Sequence, residues 1–170
     1  MSAEATDRPD EEPVRWLSVP EQRAWRAFLR GSRLLNETLD DDMQKHGLSL
    51  YEYEILAMLS EAHPEGLRMS ALADLVVQSR SRLSHTALRL ERRKLVRRRP
   101  TPGDGRGVEL SLTPAGRETV DRLAPVHVGS VRAHLVDLLT PEQLHEVGEA
   151  MRIVRSAILD LDPEDPTPIR

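Results

Sequence analysis

The segment RSRLSH, Arg80 to His85, and the run RRRPTPGDGRGVELSLT, Arg97 to Thr113, hold the residue types in this chain best suited to a definite chemistry. A guanidinium can donate two parallel hydrogen bonds to a phosphate or to the edge of guanine, and serine and histidine can bond base edges or phosphates in the same groove. The charge around these residues is concentrated. From Arg68 to Arg117 there are 12 Arg and Lys against 4 acids, a local +8 in a 170-residue chain of net charge -4, so the remainder carries -12. A basic segment within an acidic remainder is the pattern expected of a protein that meets phosphates on one face and keeps its other faces away from them.

Other chemistries lack their residues. There is no cysteine, which excludes disulfides, thiolate catalysis and thiolate-held metals. The glycines of GDGRG, 103–107, precede no Lys-Ser/Thr pair and lie outside a strand-to-helix turn, so they do not make a nucleotide loop. Asp40, Asp41 and Asp42 fall late in a helix and read as a solvated face. His127 and His134 are separated by about 10 Å along a helix axis, too far to share a metal. His63 precedes a proline, and His145 stands among acids. No catalytic constellation emerges, so the chain is not expected to be an enzyme, and neither a metal nor a cofactor is expected. The N-terminal MSAEATDRPDEEPVRW lacks the apolar stretch of a signal peptide, and nowhere do about 18 apolar residues run together. No membrane partner follows from this, and a cytoplasmic, nucleoid-associated location is expected.

The elements that must hold the basic residues follow from periodicity. Residues 1–19 and 161–170 are polar, proline-containing tails without a period, which leaves a single domain over 20–160. Trp25, Phe28, Leu29, Leu35, Leu39 and Met43 recur at helical spacing between Glu21 and Lys45, and HG at 46–47 ends that helix. Ser49 and Glu52 form a capping-box signature for a second helix to about Ala62, broken by HPEG. Ser70 is expected to cap a short helix, ALADLVV, and after QS a longer one runs to near Lys94. Two helices joined by a tight turn, the second basic, make a helix-turn-helix. Val108, Leu110 and Leu112 alternate with polar residues as one strand of a two-stranded ribbon whose tip is the Gly- and Pro-rich loop. Thr113 and Pro114 start a further helix, which Pro125 should kink or interrupt, and Thr140, Pro141 and Gln143 start the last one. The fold class is therefore mainly α with a small β-wing: a winged helix-turn-helix over 49–113, flanked by helices at 20–46 and 114–160. A small winged helix does not need those flanking helices for its own core. Their use is to pack across a two-fold axis as a homodimer, the state that symmetric DNA sites favour.

On a helical wheel Leu83, Ala87 and Leu90 share one face, while Ser81, His85 and Arg92 lie opposite, flanked by Arg82 and Arg89. Arg80, Ser81, Arg82, Ser84, His85 and Arg89 of this helix, with Arg97, Arg98 and Arg106 beyond it, are expected to bind double-stranded DNA, Arg80, Arg82, Ser84 and His85 through bases or nearby phosphates. Arg106, between Gly105 and Gly107, is expected at the wing tip and in the minor groove, with Asp104 pairing an arginine to fix that tip. Arg97, Arg98 and Arg99 alternate sides along a strand, so that two face the DNA backbone and one packs or pairs.

The stretch LADLVVQSRSRLSHTALRLERRKLVRRRPTPGDGRGVELSLTPAG resembles the MarR family of bacterial transcriptional regulators, whose wing pattern is matched at Asp104, Arg106, Leu112, Thr113 and Gly116. EQRAWRAFLRGSRLL and GLSLYEYEILAMLSE are similar to the family's first two helices. Lys94 is a departure, standing where the family commonly has a helix-ending glycine. The resemblance implies an obligate homodimer on a pseudo-palindromic operator, most often a repressor, released by a small aromatic or phenolic effector. It places such an effector in a crevice for which Trp25, Arg26, His46, Tyr51 and Tyr53 are the candidate lining residues. The reading from a different class is an architectural winged helix that binds DNA without regard to sequence and has no effector.

Overall fold

Polar side chains in the connecting segments decide where most of the helices begin. Ser49 Oγ accepts from the Glu52 amide at 3.2 Å while a Glu52 carboxylate oxygen accepts from the Ser49 amide at 3.1 Å, a reciprocal cap that satisfies two otherwise orphaned donors. Thr140 and Gln143 repeat it at 3.0 and 3.3 Å. Ser79 Oγ accepts from the Arg82 amide, and Thr113 Oγ1 from that of Gly116. The computed structural model describes residues 14–62, 64, 66–77, 79–101 and 107–159. Its elements are α1 (Val19–Gln44), α2 (Leu50–Glu61), β1 (Leu67–Arg68), α3 (Met69–Leu75), α4 (Arg80–Arg92), β2 (Val96–Pro100), β3 (Val108–Leu112), α5 (Pro114–His134), a single 3₁₀ turn at Val136–Leu138, and α6 (Pro141–Leu159). The architecture is mainly α with a small antiparallel sheet, as the periodicity predicts.

By its internal contacts the chain divides after Leu34. In the first unit α1 carries Trp25 and Phe28 with ring centroids 6.2 Å apart, both about half exposed. In the second unit the core is built from Met43, Leu48, Ile55, Leu56, Leu59, Leu72, Leu83, Leu90, Leu110 and Leu123, all buried. Leu83, Ala87 and Leu90 are the inward face of α4 that the wheel predicts.

The structure corrects several sequence expectations. The ribbon has a third strand: β1 pairs with β3, Leu67 opposite Leu110 and Arg68 opposite Glu109, giving the order β1-β3-β2. Gly66 permits this approach, with φ of +82° and a backbone so close to β3 that a Cβ would lie 2.5 Å from the Leu110 carbonyl oxygen. Because β1 runs directly into α3, the cap position falls on Arg68, and Ser70, expected as the cap, is already inside the helix. Of the two outcomes expected at Pro125, a kink or an interruption, the interruption does not occur, because α5 continues from Pro114 to His134. The carbonyl that loses its amide partner to the proline belongs to Asp121, an exposed residue that water can reach. The acids at 40–42 are more than a solvated face. Asp40 accepts from the Leu50 amide at 2.7 Å, and Asp42 accepts from Ser130 Oγ at 2.6 Å, joining α1 to α5.

Helix α4 ends in a Schellman motif. The Leu95 amide donates to the Leu90 carbonyl and the Lys94 amide to that of Glu91, which requires Lys94 to be left-handed, at φ +60°. The residue that departs from the family glycine thus adopts the conformation a glycine would take. Just beyond it, the Thr113 amide donates to the Leu95 carbonyl, Thr113 Oγ1 donates to that of Lys94 at 2.7 Å, and Gly116 packs on the Leu95 carbonyl. A Cβ on Gly116 would stand 2.0 Å from that oxygen.

Thermal melts should separate these two positions. Lys94→Gly removes left-handed strain and should stabilise by about 0.5–1 kcal/mol. Gly116→Ala forces two backbones apart and should destabilise by about 2 kcal/mol or more. A Lys94→Gly variant that melts lower would show that the turn is held by the lysine side chain instead.

Candidate nucleic-acid interface

Helix α4 is held on three sides, which leaves a fourth for a ligand. With its apolar face in the core, two flanks lie about 90° to either side at 100° per residue. One flank, formed by Arg82, Thr86, Arg89 and Arg93, meets the first turn of α2. The Arg82 guanidinium lies 4.4 Å from the centroid of the Tyr51 ring, a cation–π contact. Arg89 Nε donates to Glu52 Oε1 at 3.2 Å and Arg93 Nη1 lies 3.5 Å from Glu52 Oε2. The other flank, formed by Ser84 and Glu91, meets β2. Arg98 Nη2 donates to the Ser84 carbonyl at 2.8 Å, its backbone amide donates to Glu91 Oε1 at 3.2 Å, and its Nε lies 3.6 Å from Glu91 Oε2.

Between the flanks Ser81, His85 and Arg92 project away from the core, and all three are exposed, as are Arg80, Arg82 and Ser84. Of the nine expected DNA contacts, Arg89 and Arg98 are engaged in these intramolecular ion pairs, and Arg97 is exposed on β2. Arg106 lies outside the described residues, as does Asp104, the expected partner at the wing tip. Within the sheet Arg97 and Arg99 point outward while Arg98 turns in toward α4, so one arginine of the three pairs. Glu109 on β3 stands opposite Arg99 of β2 and opposite Arg68 of β1 in the two ladders. A cleft of about 230 Å³ opens between α4 and the base of the wing, bordered by Arg68, Ser70, Ser84, Arg98 and Val108.

Sequence reasoning missed Glu52 and Arg93. The local spacing of Glu52 accounts for it fully as a helix cap. The remaining signal was the 4-3-4 spacing of Arg82, Thr86, Arg89 and Arg93, which puts them on one flank of a helix. The five candidate effector residues divide between the two units. Tyr53 is buried with its ring 4.7 Å from that of His127, Tyr51 is exposed with its ring beneath Arg82, and His46 is exposed in the turn after α1. Trp25 and Arg26 belong to the first unit, where Arg26 donates to Gln22 Oε1 at 3.2 Å. Among the described residues no group of three His, Cys, Asp or Glu could hold a metal ion, and no helix is long and apolar enough to cross a membrane.

Comparison with known proteins decides what this arrangement belongs to. The family model described as MarR family matches residues 46–107. The structure of AbsC, a MarR family transcriptional regulator from Streptomyces coelicolor, is 45% identical, with a TM-score of 0.82 over 86% of this chain and 99% of that one. Sco3205, from the same organism and solved in complex with DNA, is 41% identical, with a TM-score of 0.82 over 86% of this chain and 92% of its own. The regulator PecS of Dickeya dadantii is 33% identical over 113 residues, 66% of this chain and 66% of PecS. The chain belongs to the MarR family. It is a DNA-binding transcriptional regulator of that family and not an enzyme.

In this MarR-family chain the contact between Tyr53 and His127 ties α2 to α5 beneath the winged domain. Burial pushes the His127 imidazole below its ordinary 6.5, because the charged form would lose its hydration, and its Nδ1 is buried with no hydrogen-bond partner among the described residues. Burial, followed by the charge of Glu61, raises the Tyr53 hydroxyl above its ordinary 10.0. A histidine depressed in the folded state binds its proton more readily when unfolded. Its contribution is therefore present above the unfolded value of 6.5 and is lost as pH falls through the folded value. Urea melts should show stability declining below about pH 6.5, and His127→Phe should flatten that decline. An unchanged slope in the variant would place the dependence on other groups.

Proposed function

We propose that the chain is a homodimeric repressor that reads a pseudo-palindromic operator and is released by a small aromatic effector. The observation that carries the DNA-reading part is the exposed line Ser81–His85–Arg92, left open between two ion-paired flanks and bordered by Arg80, Arg82 and Ser84. In this reading the N-terminal half of α4 enters the major groove, where Arg82 recognises guanine and Ser81, Ser84 and His85 bond base edges or phosphates. Arg80 and Arg97 contact the DNA backbone, while Arg106 reaches into the minor groove beside a tip fixed by Asp104. Arg89 and Arg98 take positioning roles, since their guanidiniums are already bound by Glu52 and Glu91.

The dimer rests on apolar surface that the chain does not bury by itself. On α5 and α6, Val128, Val147, Met151, Val154 and Ile158 are between 37% and 75% exposed at helical spacing. On α1 of the first unit Trp25 and Phe28 are likewise about half exposed. Residues 20–46 and 114–160 are the proposed dimerisation helices of one domain spanning 20–160. A planar effector would have few aromatic partners in a chain whose rings are two Trp, two Tyr and one Phe, so Trp25, Tyr51 and Tyr53, with Arg26 and His46, remain its proposed contacts.

The test is selection of bound duplexes from a fragmented genomic pool by the purified protein, followed by titration of the selected duplex against a shuffled one at several salt concentrations. A palindromic duplex preferred by about a thousandfold, with a steep salt slope, is expected. Arg82→Ala should reduce discrimination between the two duplexes, whereas Arg106→Ala should weaken both alike. Equal binding to both duplexes by the unaltered protein would mean an architectural DNA binder.

A further inference from the structure

The geometry points to Glu52 as a positioning residue for DNA reading, one that sets the roll of α4 about its axis and keeps Arg89 and Arg93 off the DNA backbone. The inference rests on α4 being the reading helix, as proposed above. Glu52 lies on α2, its side chain only 10% exposed, and its two carboxylate oxygens are shared among three donors: the Ser49 amide at 3.1 Å, Arg89 Nε at 3.2 Å and Arg93 Nη1 at 3.5 Å. Arg89 donates in addition to Thr86 Oγ1 at 3.4 Å, and Tyr51, the preceding residue on α2, lies under Arg82. The first turn of α2 therefore grips one flank of α4 at positions 82, 86, 89 and 93. On the opposite flank Arg98 of β2 grips positions 84 and 91.

The two grips lie on either side of the core contact and can oppose roll in both directions. Leu83, Ala87 and Leu90 fix the depth of α4, yet apolar contacts carry no direction and tolerate rotation better than hydrogen bonds do. A roll of one residue position, about 100°, would replace the outward line of Ser81, His85 and Arg92 with another set. The carboxylate has a second effect. Arg89 and Arg93 are 54% and 44% exposed, so a long side chain freed from Glu52 has room to reach a phosphate. Such a contact is independent of sequence, raising affinity for every duplex. Holding both guanidiniums on one buried carboxylate keeps nonspecific affinity low while aligning the side chains that discriminate.

Glu52→Gln tests this. The glutamine oxygen, placed where Oε2 stands, can still accept from the Ser49 amide, while the NH₂ group at the Oε1 position faces Arg89 and releases it, and Arg93 is left beside a neutral amide oxygen in place of a carboxylate. On the duplex selected by the wild-type protein and its shuffled counterpart, we expect shuffled binding to strengthen several-fold. The slope of log affinity against log salt should steepen by about 0.9 to 1.8, one or two added phosphate contacts, and preference for the selected duplex should shrink about tenfold. Adding Arg89→Gln and Arg93→Gln to that variant should return the slope to the wild-type value. In the wild-type background that arginine pair alone should leave the slope unchanged, a result that does not depend on how Glu52→Gln folds. The inference is overturned if Glu52→Gln weakens both duplexes by one factor at constant slope, or changes neither. It is also overturned if the arginine pair alone makes the wild-type slope shallower, because those residues would then already be touching phosphates. Ser81→Ala with His85→Ala, measured in parallel, separates the two levels. If both that variant and Arg82→Ala keep full preference, α4 is not the reader; if either loses preference while Glu52→Gln does not, only the role of Glu52 fails.

Discussion

The carbonyl of Leu95 is the point on which the arrangement of the winged domain depends. It accepts from the Thr113 amide, lies 3.1 Å from Thr113 Oγ1, and packs against the bare Cα of Gly116. At that single peptide α4 has just ended, β2 is beginning, and the chain returns from β3 to start α5. Any other side chain at position 116 would push the wing and α5 apart, and any other backbone conformation at Lys94 would send β2 in a different direction. A hydrogen bond constrains direction as well as distance, so this junction ties the angle of α4 to the angle at which α5 leaves it.

The use of a lysine at the left-handed position follows from that constraint. The turn must reverse the chain so that the amides of Lys94 and Leu95 reach back to Glu91 and Leu90, and only a positive φ does so. The two amide bonds and the burial of Leu95 against the core hold the turn against the strain of a Cβ. Val77, also at positive φ between α3 and α4, shows that this chain accepts the same strain twice around α4.

How far this was legible from the amino-acid sequence depended on range. Features set by neighbours three or four residues apart were readable: the reciprocal caps at Ser49–Glu52 and Thr140–Gln143, the Thr113–Pro114 start, and the inward face of α4 at Leu83, Ala87 and Leu90. Features set across the fold were not. A two-residue strand such as Leu67–Arg68 has no periodicity to detect, and it displaced the cap from Ser70 by joining β3. Asp42 looked solvated because its partner Ser130 is 88 residues away, and Arg89 looked available because Glu52 is 37 residues away. Local chemistry named α4 as the basic helix of the motif; only the tertiary arrangement distinguished the arginines held along it from those left facing out.

That distinction changes how the basic segment should be understood. Its local charge of +8 counts every arginine alike, but Arg89 and Arg93 share Glu52, Arg98 lies against Glu91, and Arg68 and Arg99 stand across the sheet from Glu109. Glu52 is part of α2, outside the basic segment, so the acid that restrains two of the arginines does not enter the segment's own count at all. A surface bearing all of these charges free would bind any duplex through its phosphates, and the contribution of base contacts would be small beside it. By placing part of the positive charge in buried or half-buried pairs, the fold turns it into mechanical support for α4. The residues left outward are then Ser81, Ser84 and His85 beside Arg80 and Arg92, with Arg82 braced on the Tyr51 ring, and in the proposed reading discrimination falls to groups whose hydrogen bonds depend on position.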